Sequence, residues 1–329
     1  MDMLSDVLAV MRTGRPSSVR MAWRAPWARR FAAIPGAAGF QVILRGPCWL
    51  VRPGHDPIAL AAGDVVFRPH GDEHTLADIP SRTPTATDRA PTKPEIRDHG
   101  DTDTATTVTL CGGYQLEPAR VHPLLTDLPE LIHLPAHVGR HPELRATVDI
   151  LATELARPRL GTDAIVPALL DTLFVHILRA WLDQQPAPGT GTGWAAALND
   201  PPTTAALQAM HADPARQWTV ATLAAEAGLS RSPFAHRFTT LIGQPPMTYL
   251  TWWRMTIAGR LLHESDAPLR AIATRVGYTS QFAFAAAFKR QYGTAPGTFR
   301  RGDIISSADA VGGHRHTCAC YHPVADSPT

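Results

Sequence analysis

Four groups of side chains in this 329-residue chain have types and spacings that could do chemistry. Arg231, Ser232, His236 and Arg237 fall within one helical stretch, and Ser280, Gln281, Lys289 and Arg290 fall within another about fifty residues on. Guanidinium, ammonium and short polar groups on a helix suit base edges and phosphates in a DNA major groove about 12 Å wide. His55, His70 and His74 with Glu73 are possible metal ligands, and Cys48 with Cys111 is a possible thiol pair. His70 and His74 have three residues between them, so a structural histidine or a hydrogen bond into a ligand pocket is expected before a catalytic metal. Buried cysteine usually behaves as a small hydrophobe. A redox pair is the alternative, and it requires Cα atoms about 4.4–6.8 Å apart. The tail holds His314, His316, Cys318, Cys320 and His322, five ligands within nine residues, but it has little apolar content and is read as disordered.

The basic groups need rigid carriers, and the sequence supplies them twice. Leu223-Ala224 and Gly228-Leu229 recur as Ile272-Ala273 and Gly277-Tyr278 at an offset of 49. Phe234, Phe238, Gly243, Pro246 and Tyr249 recur as Phe284, Phe288, Gly293, Pro296 and Phe299 at an offset of 50. Each copy reads as helix, tight turn, helix. Gly228 and Gly277 can take the positive φ that ends the first helix. Ser230, and Thr279 or Ser280, are placed to cap the second. Pro233 falls in a first turn, where its missing N–H costs nothing. A helix over about 248–265, carrying Tyr249, Trp252, Trp253, Ile257, Leu261 and Leu262, would hold the copies at a fixed spacing.

Upstream the texture differs. Met3, Leu4, Val7, Leu8 and Met11 predict a short amphipathic helix. Short β-type runs at 40–44, 49–51, 58–60 and 65–67, punctuated by Gly46-Pro47, Pro53-Gly54 and Gly63-Asp64, predict an antiparallel sandwich or small barrel. Residues 80–106, rich in Pro, Thr and Asp, predict a mobile loop, and 108–116 predicts a further strand broken by Gly112-Gly113. After Pro142 the spacing turns helical, with a second helix over about 163–184. Its stripe of Leu169, Leu170, Leu173, Phe174, Ile177, Leu178 and Trp181 serves either its own core or a dimer interface.

The formal charge of +2 hides a split. Residues 203–302 hold eleven Lys/Arg against four Asp/Glu, net +7, and the rest of the chain is net −5. That asymmetry points to a nucleic-acid-binding segment attached to something else. Four cysteines, no signal-like start and no apolar run of membrane length predict a cytoplasmic protein with reduced thiols.

The segment from Trp218 to Arg300 resembles the AraC/XylS-type bacterial transcription regulators. The signature runs from Ile272-Ala273 through Val276-Gly277-Tyr278, Ser280, Phe284, Phe288-Lys289-Arg290, Gly293 and Pro296 to Phe299-Arg300. Residues 40–120 resemble the cupin-type sensor domain of one branch of that family, through Gly46-Pro47-Cys48-Trp49-Leu50, Gly63-Asp64-Val65-Val66, Pro69-His70-Gly71, His74 and Cys111-Gly112-Gly113-Tyr114. The resemblance implies an α+β chain: a cupin-like β-sandwich or barrel followed by helices, then an all-α domain with two helix-turn-helix units joined by a linker helix. The expected domains are a sensor over 1–184, a linker over 185–202, the DNA-binding domain over 203–302 and a tail over 303–329.

The DNA-contact candidates are Ser230, Arg231, Ser232, His236, Arg237, Thr279, Ser280, Gln281, Lys289, Arg290 and Arg300. Ala285-Ala286-Ala287 stands where the family usually places a polar residue followed by a basic one. The second unit is therefore expected to contact phosphates and sense shape, with the first supplying most specificity. Cys48, Cys111, His70 and His74 are the effector or redox candidates, since a related branch senses oxidants through cysteines in this domain. The implied partners are double-stranded promoter DNA, RNA polymerase if the protein activates, a small-molecule or oxidant effector and a second copy of the chain. No cofactor or metal is assigned. The competing class is a metal-dependent cupin enzyme tethered to a DNA-binding domain.

Overall fold

Residues 3–11, 16–84, 86–88, 98–99, 105–115, 122–136, 141–185 and 191–302 are described in the computed structural model. Helix α1 (Met3–Met11) leads into strands β1 (Ser17–Trp23), β2 (Ala28–Phe31), β3 (Ala37–Arg45), β4 (Cys48–Val51), β5 (Ile58–Leu60) and β6 (Val65–Arg68). There follow β7 (His74–Ala77), β8 (Ala86–Asp88), β9 (Asp98–His99), β10 (Thr107–Gln115), α2 (Pro123–Thr126), β11 (Ile132–Leu134), α3 (Pro142–Ala156) and α4 (Thr162–Leu182). The strands form a six-stranded sheet, β11-β6-β3-β10-β1-β9, and a five-stranded sheet, β5-β4-β7-β2-β8. The architecture is a sandwich.

Alternation along β3 shows how the layers are built. Ile43 faces the second sheet together with Val19, Met21, Cys48, Leu50, Val66, Leu76 and Cys111. Phe40 and Val42 face the other way, into a core shared with Leu110, Leu151, Leu170 and Phe174. The central sheet is thus covered on both sides, by the second sheet and by helices α3 and α4. Helix α4 is the one described helix long and apolar enough to cross a membrane. Its Leu170, Leu173, Phe174, Ile177 and Leu178 lie in the chain's own core, so most of the apolar stripe packs at home.

Several sequence expectations need correction. The sequence reading does not include strands β1, β2, β7 and β11: Arg29-Arg30 and His74-Thr75 disguise four-residue strands that bury Ala28 and Phe31 in β2 and His74, Leu76 and Ala77 in β7. The pair Gly112-Gly113 does not break β10. Gly113 pairs with Gly39, and a Cβ on it would meet the Ala38 carbonyl oxygen at 2.7 Å, so glycine permits the close approach of β3. Within the loop expected over 80–106, β8 pairs with β2 and β9 pairs with β1. The tail over 303–329, with its histidines and cysteines, lies outside the described residues.

The expected linker over 185–202 also carries structure. Helix α5 (Trp194–Leu198) buries Trp194 and Ala197, and α6 (Pro201–Ala212) begins inside the stretch. Then come α7 (Val220–Glu226), α8 (Arg231–Ile242), α9 (Pro246–Glu264), α10 (Leu269–Arg275), α11 (Gln281–Tyr292) and α12 (Pro296–Arg300).

Candidate nucleic-acid interface

The duplication is a real structural repeat. Helices α7 and α8 form the first helix-turn-helix, α10 and α11 the second, and α9 joins them. Gly228 (φ 66°) and Gly277 (φ 83°) turn each pair, and Gly243 (φ 79°) and Gly293 (φ 72°) terminate the recognition helices. The two turns differ in their surroundings. A Cβ on Gly228 would meet open space, whereas one on Gly277 would meet the Ala215 carbonyl oxygen at 2.7 Å. The second turn is seated on the first unit there: Gln217 Nε2 donates to Gly277 O at 2.9 Å, and Arg254 of α9 donates to Pro214 O at 2.7 Å and Arg216 O at 2.8 Å.

In the first unit, Phe234 and Phe238 anchor α8 with ring centroids 5.7 Å apart. Ser230 occupies the N-cap position with extended backbone, but its side chain makes no capping bond, contrary to expectation. Arg231, Ser232 and His236 are exposed on α8. Arg237 is differently placed. Its Nε donates to both carboxylate oxygens of Asp200, at 3.0 and 2.9 Å, and NH2 makes a further short contact with Oδ1. Asp200 also caps α6 by accepting from Thr203 N at 3.1 Å. Burial alone would raise the Asp200 carboxyl. The hydrogen bonds from Arg237 and Thr203 outweigh it and hold the group below its ordinary value. Arg237 therefore ties α8 to α6 while its side chain stays half exposed.

In the second unit, Ser280 Oγ accepts from Ala283 N at 3.4 Å, so of the two cap candidates Ser280 takes the role. Thr279, Gln281, Lys289 and Arg290 are exposed. Arg300 is half-buried, and its NH2 donates to Ala267 O at 2.5 Å. The second unit keeps its own core of Met255, Leu262, Ile272, Val276, Phe284, Phe288 and Phe299.

The first unit instead shares a core with the sensor, running from Phe40 and Phe174 through Trp194 and Leu207 to Phe238 and Tyr249. A buried polar chain lies at this joint. His122 Nδ1 accepts from Leu124 N at 3.0 Å, which leaves Nε2–H to donate to the Tyr249 hydroxyl at 3.2 Å. Tyr249 in turn donates to His211 Nε2 at 2.7 Å, and His211 Nδ1 faces Asp6 Oδ2 at 3.5 Å. Burial holds His122 well below the ordinary 6.5, with the neighbouring His211 adding to the effect. Burial likewise lowers His211, against the pull of Asp6, and raises Tyr249. The chain is neutral in its central members and connects α1, the start of α2, α6 and α9.

The sensor candidates do not converge. His70 Nε2 bonds Leu128 O at 3.0 Å, His55 sits by Glu130 at 3.3 Å, and Glu73 pairs with Arg30 at 2.7 Å. Among the described residues no cluster of three or more His, Cys, Asp or Glu could hold a metal. His74 is buried, stacked on Phe31, with Nε2 2.6 Å from Gln41 Nε2. Gln41 Oε1 accepts from Arg68 Nε at 3.3 Å, and Arg68 also donates to Asp72 O at 2.6 Å. Burial pulls the Arg68 guanidinium down to about 10 despite the nearby Cys111 and Asp72. Cys48 and Cys111 lie on opposite sheets and contribute to one apolar core, and they are not joined in a disulfide. Burial, with Cys111 and Asp64 adding, pushes the Cys48 thiol up to about 12.

Sequence reasoning missed Asp200, Tyr249 as a polar link, and Arg68 with Gln41. Asp200 was findable, since Asp-Pro-Pro-Thr is a helix-start signature. The other two join residues far apart in sequence, and no local pattern reveals them.

A basic pair of helix-turn-helix units, the first packed against the cupin-like domain, is the architecture of a DNA-binding transcription regulator. Residues 2–183 match the cupin family model and 223–302 match a helix-turn-helix domain model. A Streptomyces lividans protein described as an AraC-like transcription regulator is 37% identical over 305 residues, covering 92% of this chain and 98% of that protein. A Streptomyces antibioticus protein described in the same terms is 35% identical over 304 residues, covering 92% and 99%. The HTH-type transcriptional regulator AlkR of Acinetobacter baylyi is 38% identical over 181 residues, 54% of this chain and 58% of that protein. The chain belongs to the AraC-like transcription regulators, in the group with a cupin-type N-terminal domain.

Proposed function

We propose that this regulator binds promoter DNA sequence-specifically and that its sensor acts on DNA through the first helix-turn-helix unit. The observation that carries the reading is the shared core, in which Tyr249 links His122 of the sensor to His211 of the DNA-binding domain. A change in the sandwich then moves the first unit directly, while the second follows through α9. Arg231, Ser232 and His236 supply polar groups of the first unit, with Gln281, Lys289 and Arg290 in the second. Arg237 positions α8.

The signal is read as a small molecule rather than an oxidant, because a thiol held up to about 12 is a poor attacking group. The Arg68–Gln41–His74 cluster is a buried polar spot within the sandwich, and a buried guanidinium favours an effector with an acidic group. Ile150, Leu160 and Ile165, exposed on α3, the following turn and α4, supply apolar surface for pairing with a second copy. A cytoplasmic location and, if the protein activates, contact with RNA polymerase complete the reading.

The test is binding of the full chain to its own upstream DNA across a salt series, with and without a mild oxidant. Sequence-dependent binding that weakens with salt, unchanged by oxidant in wild type, Cys48→Ser and Cys111→Ser, is expected. No sequence preference would defeat the regulator reading. An oxidant response lost in either cysteine variant would replace the small-molecule signal with a redox one.

A further inference from the structure

One side chain on the second recognition helix is the most exposed aromatic ring among the large exposed hydrophobic residues. Phe282, the second residue of α11, is 89% exposed, although Phe284 and Phe288 on the same helix are fully buried. A single exposed apolar residue needs no explanation by itself, but this ring stands on the helix of the second unit that corresponds to α8 of the first, among polar and basic side chains. Gln281 is exposed just before it, Ala286 is exposed one turn later, and Lys289 and Arg290 follow on the last turn. The outward face thus runs from amide and ring, across a methyl-sized gap, to two positive charges. It occupies the position in the second unit that the polar face of α8 occupies in the first.

We infer that the second unit reads A·T base pairs in the major groove through Phe282, whose ring packs on the 5-methyl group of thymine, with Gln281 facing the adenine edge. The chemistry fits. In the major groove thymine alone of the four bases presents a methyl group, apolar side chains including Phe contact it, and Gln pairs with adenine N6 and N7. The alanines, which cannot hydrogen-bond to bases, acquire a use: a helix with nothing beyond Cβ at 285 and 286 can lie deep in the groove and bring the ring to its floor. Lys289 and Arg290 then hold phosphates at the far end of the same helix. Base reading by the second unit is therefore apolar rather than absent, which revises the sequence-based expectation of phosphate and shape contacts alone.

The experiment uses the full chain. Sites are selected from a random duplex library, and the best site is remade with deoxyuridine replacing thymidine one position at a time, which removes only the methyl group. Binding about fourfold weaker is expected at one or more positions, the weight of one buried methyl. Phe282→Ala should abolish that penalty and Phe282→Leu should keep most of it, with the salt dependence of both matching wild type. The ring is exposed, so neither change threatens folding. A uracil penalty that persists in Phe282→Ala overturns the inference. So does the absence of any penalty, and if Phe282→Ala then shifts sedimentation towards smaller species, the ring belongs to a protein contact instead.

Discussion

The two helix-turn-helix units share a motif and differ in how they are attached. The first is continuous with the sensor: Phe234, Phe238 and Tyr249 belong to the same core as Phe174 and Trp194. The second is a satellite with its own core, held to the first by α9 and by the polar contacts of Arg254 and Gln217. Their recognition helices diverge in the same sense. α8 engages Arg237 in a tie to Asp200 and presents Arg231, Ser232 and His236, whereas α11 presents an unburied phenylalanine beside Gln281. One repeat is packed into the core of the cupin-like domain, and the other stands on a core of its own.

Equivalent core truncations should separate the two most strongly. Phe238→Ala and Phe288→Ala each remove a fully buried ring, a cost of about 3–5 kcal/mol. Followed by thermal unfolding, Phe238→Ala should lower the transition that includes the sensor, and Phe288→Ala should lower a transition confined to residues after Met255. A single common shift for both would remove the distinction.

The tie between α6 and α8 comes next. Asp200→Ala loses a helix cap and an ion pair whose arginine is half exposed, which together are worth about 2 kcal/mol. Arg237→Ala should cost less, because it leaves the cap in place. If Arg237→Ala instead leaves stability intact and abolishes DNA binding, the arginine is a contact and not a tie. Tyr249→Phe removes the hydroxyl that serves both histidines and should cost about 1–2 kcal/mol in urea unfolding, with DNA affinity altered as well.

The smallest effect is that of pH. His122 and His211 are both held below the ordinary 6.5 when folded, so the unfolded chain binds more protons as the pH falls through that value. Their contribution is complete above about 6.5 and declines below it, by at most about 0.7 kcal/mol for each histidine between pH 7 and 6. A parallel titration with the first unit's truncation Phe238→Ala should show the loss at the sensor joint. Stability that rises over the same interval would contradict burial of neutral rings.

Much of this arrangement is legible in the sequence because it is local. Gly228, Gly277, Gly243 and Gly293 turn or end helices where a positive φ is required, and the paired phenylalanines at i and i+4 mark the inward faces of both recognition helices. What stays hidden depends on distant partners. Nothing near Arg237 in sequence announces Asp200, and His122 and Tyr249 are 127 residues apart. Short strands such as β2 and β7 escape because four residues that include arginine or histidine carry too little pattern to read, and their place is decided by the strands they pair with.

Amide hydrogen exchange on the full chain, comparing wild type with Tyr249→Phe, tests the unequal attachment most directly. Faster exchange is predicted in α1, α6 and α8, with α11 and α12 unchanged. Equal acceleration in α8 and α11, or none in α1 and α6, would contradict it.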